Sequence, residues 1–283
     1  MIESRIACEK SPDAAANEDY VIATPTFVAV LDGVTVPPRS DTGCIHGPSW
    51  YVRQLGTAMA SIHETEHTAG LPDVLAEAIR RVATRHGATC DLNHPGTPQS
   101  TACLLRASDN QLEYLILADS PLVIGREAST EMLTDLRLRQ TNQHLRELAL
   151  AESSIGSVSQ AERVRMLVEA QRTQVNRPGG YWIAAASPDA AYHGIHGYLP
   201  LTGPDRVTRA ALLTDGAAAA VDIFELLDWQ DLLDTLESQG PQRVIELVRA
   251  AEVEDGHGRI RPRYKRHDDA TIAYCTFGQE DSS

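Results

Sequence analysis

The stretch Phe27-Val28-Ala29-Val30-Leu31-Asp32-Gly33-Val34-Thr35 decides the reading of this chain. Its five consecutive apolar residues lie between turn signals, the mark of a short strand buried on both faces. The run ends on an acid and a glycine, so the Asp32 carboxylate emerges at the rim of a core where an unpaired charge is costly. Asp-Gly is also a common turn, and one such acid is explained by a turn alone. The device returns, however, at Ala210-Ala211-Leu212-Leu213-Thr214-Asp215-Gly216, again an apolar strand ending in Asp-Gly.

Further acids stand at predicted strand ends: Glu18 and Asp19 before Tyr20–Ala23, Asp119 after Leu112–Leu117, and Asp268 before Ala270–Cys275. No histidine or cysteine accompanies them at ligand spacing, and oxygen-only ligands suit hard cations, magnesium or manganese, rather than zinc. Converging carboxylates repel one another unless a cation neutralises them.

Helical spacing marks Val52, Leu55, Met59 and Ile62, then Val74, Leu75, Ala78, Ile79 and Val82. Short strands are expected over Thr101–Arg106, Leu112–Leu117 and Leu122–Gly125, and another over Tyr181–Ala184. Between them, a charged, helix-periodic insertion is expected from about Ser129 to Gln174. Helices follow after Ala217, around Leu232–Leu236 and over Val244–Ala251, and the acidic tail beyond Gly278 is expected to fray. Strand groups alternating with helix pairs indicate an α+β protein, with antiparallel sheets covered by helices and no linker long enough to divide residues 1–283.

Composition narrows the function. A net charge of −14 and a pI near 5.1 argue against a surface that neutralises nucleic acid or anionic lipid. The start lacks an apolar segment behind basic residues, and no run reaches the length of a membrane span, so a cytoplasmic protein without nucleic-acid or membrane partners is expected. Cys8, Cys44, Cys90, Cys103 and Cys275 are scattered without a CxxC pair, which suggests neither a disulfide framework nor a zinc cluster.

The order Asn17-Glu18-Asp19, Val30-Leu31-Asp32-Gly33, Ser100-Thr101-Ala102, Ala118-Asp119-Ser120, Leu213-Thr214-Asp215-Gly216 and Asp268-Asp269-Ala270-Thr271 resembles the type 2C, metal-dependent (PPM) serine/threonine protein phosphatases, in their bacterial form. The likeness runs from Asn17 to Cys275. It implies a four-layer α-β-β-α sandwich, with two central antiparallel sheets flanked by helices. It also implies hydrolysis of phosphoserine or phosphothreonine by a metal-activated water, without a covalent intermediate. Carried over, Asp32 bridges two Mg²⁺ or Mn²⁺ ions, the Gly33 carbonyl binds one of them, and Asp215 and Asp268 complete the other's protein ligands. Glu18 and Asp19 hold metal-bound waters or bind more directly, and Asp119 serves a third, weaker ion.

The chain departs from the family pattern in several places. Where relatives carry a phosphate-gripping arginine, this sequence has about Ala14, which leaves Arg5, Lys10 or an arginine of the Arg259–Arg266 run as candidates, that run also reading as a solvated loop. The histidine that often follows the first Asp-Gly is absent. His46 is then a candidate general acid, or simply a helix-entry or packing histidine. The usual Gly-Asp-Ser is Ala118-Asp119-Ser120, and the usual Asp-Asn is Asp268-Asp269, so that either acid of the last pair is a candidate ligand. Two alternatives to a protein phosphatase remain open: a weak or inactive module binding a phosphorylated partner, and a phosphatase of a small phosphorylated metabolite.

Overall fold

The computed structural model describes residues 1–37, 40–66, 68–151 and 154–278, and the acidic tail beyond Gly278 lies outside them. Its framework is two five-stranded antiparallel sheets. One is ordered β2 (Asp19–Ala23), β3 (Phe27–Asp32), β4 (Ala102–Ala107), β5 (Gln111–Leu117) and β8 (Ile195–Pro200). The other is ordered β1 (Ile2–Glu9), β10 (Ala270–Phe277), β9 (Arg209–Leu213), β6 (Leu122–Gly125) and β7 (Thr130–Leu133).

The alternation of side chains along a strand explains the layering. In β3, Phe27, Ala29 and Leu31 face outward and pack with Val52, Leu55 and Met59 of α1 (Pro48–Thr65) and with Leu75 and Ile79 of α2 (Leu71–Arg85). Val28 and Val30 face the other way and meet Leu122, Ile124, Ala210 and Leu212 of the second sheet. That sheet in turn presents Ala211, Leu213, Ile272 and Tyr274 to α6 (Asp215–Asp222), α7 (Trp229–Gln239) and α8 (Pro241–Glu254). Both faces of both sheets are therefore covered, and the central strands read as unbroken apolar runs instead of alternating ones. The result is the expected four-layer α-β-β-α sandwich.

Three strands escape the sequence reading. β1, β7 and β8 are all edge strands, and each is half-exposed with few apolar residues. β7 takes the first residues of the span expected to be helical, and the helices α3 (Arg137–Gln140), α4 (Gln143–Leu150) and α5 (Val158–Arg172) follow it. Conversely, Tyr181–Ala184 forms no extended strand: only single bridges from Ser100 to Ala184 and from Val175 to Tyr181 are made there. No helix among the described residues is long and apolar enough to cross a membrane.

Candidate active site

Each sheet delivers half of one acidic cluster. Antiparallel register sets Asp19 of β2 directly opposite Asp32 of β3. In the other sheet, β9 runs into Thr214 and Asp215 at the start of α6, while Asp268 and Asp269 immediately precede the neighbouring strand β10. Asp119 lies on the crossover from β5 in the first sheet to β6 in the second.

The two glycines of the Asp-Gly pairs are required by close approach. A Cβ on Gly33 would stand 2.6 Å from the Glu18 carbonyl oxygen, and one on Gly216 would stand 2.0 Å from that of Asp269. In both sheets the glycine lets the backbone of the second acidic segment close onto the first. The Gly33 amide also donates to the Glu18 carbonyl at 2.9 Å.

The carboxylates feel one another. Burial raises the proton affinity of Asp32, and Asp215, Asp19 and Asp268 raise it further. Asp268 is raised to about 6 by burial, with Lys265 opposing and Asp215 reinforcing the shift. Asp19 is raised by burial against the hydroxyls of Thr271 and Thr214, the latter donating to its Oδ2 at 2.8 Å. Burial lifts Glu18 as well, opposed by the Thr35 hydroxyl, which donates to its Oε2 at 2.6 Å.

The adjacent acids Asp268 and Asp269 have different surroundings. Asp269 accepts the backbone N–H of Ser11 and of Glu18, each at 2.6 Å, so its carboxylate is committed to holding the β1–β2 connection. Asp268 borders the open space beside Asp215, and its Oδ1 accepts from Lys265 Nζ at 2.8 Å. Behind it, buried Glu252 accepts from the Asp268 amide at 3.4 Å and pairs with His267 Nδ1 at 2.8 Å.

Two adjoining cavities, of about 430 and about 400 Å³, open over these acids and share Asp119, Arg146, Asp215, Tyr264 and Lys265. The larger runs from Asp32 and Gly33 to the face of α5. No histidine or cysteine lines either one among the described residues, so the donor set is oxygen alone, as a hard divalent cation requires. Burial alone would lower the Lys265 ammonium, but Asp268, Asp215 and Asp32 outweigh that effect and raise it. Lys265 also donates to Thr35 Oγ1 at 2.9 Å.

Solved structures share this arrangement of the chain over nearly its whole length. The serine/threonine phosphatase PstP/Ppp of Mycobacterium tuberculosis is 15% identical with a TM-score of 0.61, over 98% of this chain and 99% of that one. The PstP catalytic domain in complex with two manganese ions is 14% identical with a TM-score of 0.58, over 97% of each chain. Stp1 from Staphylococcus aureus is 11% identical with a TM-score of 0.58, over 99% of this chain and 96% of that one. The chain has the PPM phosphatase fold. The sequence itself matches no family model and no curated protein.

Within the PPM fold, Asp32, Asp19, Asp215, Asp268, Glu18 and Gly33 gather at one end of the two sheets, and Asp119 faces the same space. The Ser100-Thr101 motif meets the Asp119-Ser120 motif through Thr101 Oγ1 and Ser120 Oγ, 2.6 Å apart, while Thr101 Oγ1 accepts from the Asp32 amide at 3.2 Å. Ala118 holds a left-handed φ of 66°, a conformation in which the family's usual glycine carries no Cβ strain.

His46 is placed elsewhere. Its Nδ1 lies 3.5 Å from Cys44 Sγ and 3.4 Å from Cys90 Sγ, its ring stacks on Trp50, and it lines neither cavity. Nor do Arg5 and Lys10 reach the acids. Arg5 donates to the Glu237 carbonyl at 2.9 Å and lies over the Tyr274 ring, and Lys10 donates to the Ala14 carbonyl.

The basic groups that do reach the cavities are Lys265, Arg139, Arg146, Arg165 and Arg263, and of these Arg165 is exposed and pairs with Glu169 one turn along α5 at 3.6 Å. Arg263 is spoken for, since it is buried against Asp255 at 3.2 Å. Arg139 pairs with Asp222 at 2.7 Å. Arg146 donates to the carbonyls of Leu138 and Thr141, at 2.8 and 3.1 Å, and borders both cavities beside Asp119. Sequence reasoning missed Arg139 and Arg146 because they sit in a charged helical segment where nothing distinguishes a site arginine from a solvated one. Lys265 lay in plain view, three residues before Asp268.

Proposed function

We propose that the chain is a metal-dependent phosphoric monoester hydrolase that removes phosphate from phosphoserine or phosphothreonine of a cytoplasmic protein. The observation that carries this reading is the convergence of acids from both sheets, with oxygen donors only, beneath a cavity edged by Lys265 and Arg146. The PPM fold supports it.

Asp32, the Gly33 carbonyl, Asp215 and Asp268 would hold two Mg²⁺ or Mn²⁺ ions, with Glu18 and Asp19 behind them and Asp119 towards a third. Divalent ions held there would supply Lewis acidity and lower the pKa of water enough to provide a nucleophile near neutral pH. The chain's own contribution is position. Asp269 fixes the Glu18 backbone, and Thr214 orients Asp19. Glu252 steadies the Asp268 amide. Lys265 and Arg146 take the place of the arginine missing near Ala14 and orient the phosphoryl oxygens through charge-assisted hydrogen bonds. On this reading Arg146→Ala raises KM for a phosphoester by about ten- to a hundredfold, the equivalent of one such bond, and changes kcat less.

Manganese-stimulated hydrolysis of an aryl phosphate and of a phosphothreonine peptide tests the proposal. Chelation and the variants Asp32→Asn and Asp215→Asn are each expected to reduce the rate by roughly a thousandfold or more. Turnover that persists in excess chelator, or that is unchanged in either variant, would overturn it. Tight manganese binding with no turnover of any phosphoester would instead identify a binding module.

A further inference from the structure

A second group of ligand-type side chains lies apart from the acids, at the end of the helical layer over the first sheet. Cys44 and His46 sit in the connection from β3 to α1, His86 caps the C-terminus of α2, and Cys90 follows a single 3₁₀ turn at Gly87–Thr89. One ligand atom from each lies within 4.8 Å of the other three. The separations are 3.0 Å for Cys44 Sγ to Cys90 Sγ, 3.5 and 3.3 Å for Cys44 Sγ to the Nδ1 atoms of His46 and His86, and 3.4 Å for Cys90 Sγ to His46 Nδ1.

We propose that Cys44, His46, His86 and Cys90 bind one structural zinc ion. Zinc bound by two thiolates and two imidazoles has Zn–S of about 2.3 Å and Zn–N of about 2.0–2.1 Å, which makes the edges of its tetrahedron about 3.3–3.8 Å. The three sulfur–nitrogen separations of 3.3–3.5 Å match the sulfur–nitrogen edge of about 3.5 Å, and the sulfur pair at 3.0 Å would open towards an edge of about 3.8 Å on taking up the ion. Soft sulfur with imidazole selects zinc over the hard cations suited to the acidic cluster. Four protein ligands complete the coordination shell, so the site is closed and structural.

The surroundings are those of an ordered site. The His46 amide donates to Cys44 Sγ at 3.3 Å, an N–H partner of the kind that surrounds metal-bound sulfur. Trp50 locks both imidazoles, stacking on His46 with ring centroids 3.9 Å apart and meeting His86 edge-on at 4.8 Å. The loop is shaped for it: Gly43 has a φ of +63°, and its carbonyl accepts from the Asp91 amide at 2.7 Å, drawing the segments of Cys44 and Cys90 together. A thiol pair on its own gives no reason for two imidazole nitrogens to face the same point.

The sequence hides this site because its ligands come as Cys-x-His and His-x-x-x-Cys, 40 residues apart between His46 and His86, with no CxxC spacing to announce them. The proposal departs from the expectation that the cysteines form no zinc cluster, because folding unites two half-motifs that are inconspicuous in the linear chain. The ion would pin the β3–α1 connection, which begins at Asp32 and Gly33, onto the end of α2.

Elemental analysis of the full chain, expressed with zinc and purified under reducing conditions, is expected to find one zinc per chain that survives dialysis against magnesium. A mercurial thiol reagent should release it in step with cysteine modification. Cobalt substituted for zinc should show the ligand-field and thiolate charge-transfer bands of a tetrahedral sulfur-bound ion. Cys90→Ser and His86→Ala should each lose at least nine-tenths of the metal, whereas Asp32→Asn, which alters only the acidic cluster, should keep it. The proposal is overturned if wild-type protein holds no zinc and takes up none, if the metal persists in a Cys44→Ser/Cys90→Ser double variant, or if Cys44 and Cys90 are recovered as a disulfide under the same reducing handling. Should the variants fail to fold, the mercurial and cobalt measurements on the unaltered chain decide the matter.

Discussion

Asp268 and Asp269 are adjacent, equally charged and employed differently. The Asp269 carboxylate accepts two backbone N–H groups, from Ser11 and Glu18, and its removal leaves both without a partner. At about 1–3 kcal/mol for each of the two donors so stranded, Asp269→Ala should lower the unfolding free energy by about 2–6 kcal/mol. Asp268→Ala removes a like charge from beside Asp215, so urea unfolding in chelator should show stability unchanged or increased, while manganese binding is lost. Equal destabilisation by the two variants would contradict this division. The residue scale is also where the sequence was least legible. Its motif order located the Asp268-Asp269 pair, but only the packing of the β1–β2 connection decides which carboxylate faces the cavity.

At the scale of elements, the segment between α8 and β10 carries both Asp268 and Lys265, and one buried acid shapes it. Asp255 accepts the amides of Arg259, Ile260 and Arg261, at 2.8, 3.2 and 2.8 Å, and pairs with buried Arg263. Burial alone would raise Asp255, but these partners hold it below its ordinary value of 3.8. A carboxylate depressed on folding stabilises the protein above its unfolded pKa, and that contribution disappears as pH falls through its folded value. Thermal unfolding should therefore show a loss of stability below about pH 4 that is much reduced in Asp255→Asn. Asp255→Ala, which leaves Arg263 buried without its partner, should cost about 3–5 kcal/mol at neutral pH.

Elements were legible where both faces are buried, as in β3, β4 and β9, because the apolar run leaves no other reading. The edge strands β1, β7 and β8 carry too few apolar residues to announce themselves, and pairing with a neighbour, not composition, makes them strands.

Over the whole molecule, the acidic cluster spans the seam between two sheets, so cation binding depends on how well they dock. Leu212 lies in the seam, whereas Leu75 lies in the outer layer against α1, and both are fully buried. Truncating either to alanine should cost about 2–5 kcal/mol. Only Leu212→Ala is expected to weaken manganese affinity by calorimetry as well, because only that cavity loosens the contact between the halves of the site. An equal effect of both substitutions on affinity would show that one sheet suffices.

The glycines of the two Asp-Gly pairs carry a genetic consequence. What blocks a side chain at Gly33 or Gly216 is the main-chain carbonyl of Glu18 or Asp269, and no substitution at 18 or 269 removes a carbonyl. A Gly33→Ala or Gly216→Ala allele should therefore lack local suppressors. Selection for restored activity should return glycine at the original codon, and a recovered second-site change within either acidic segment would show that the backbone there can yield.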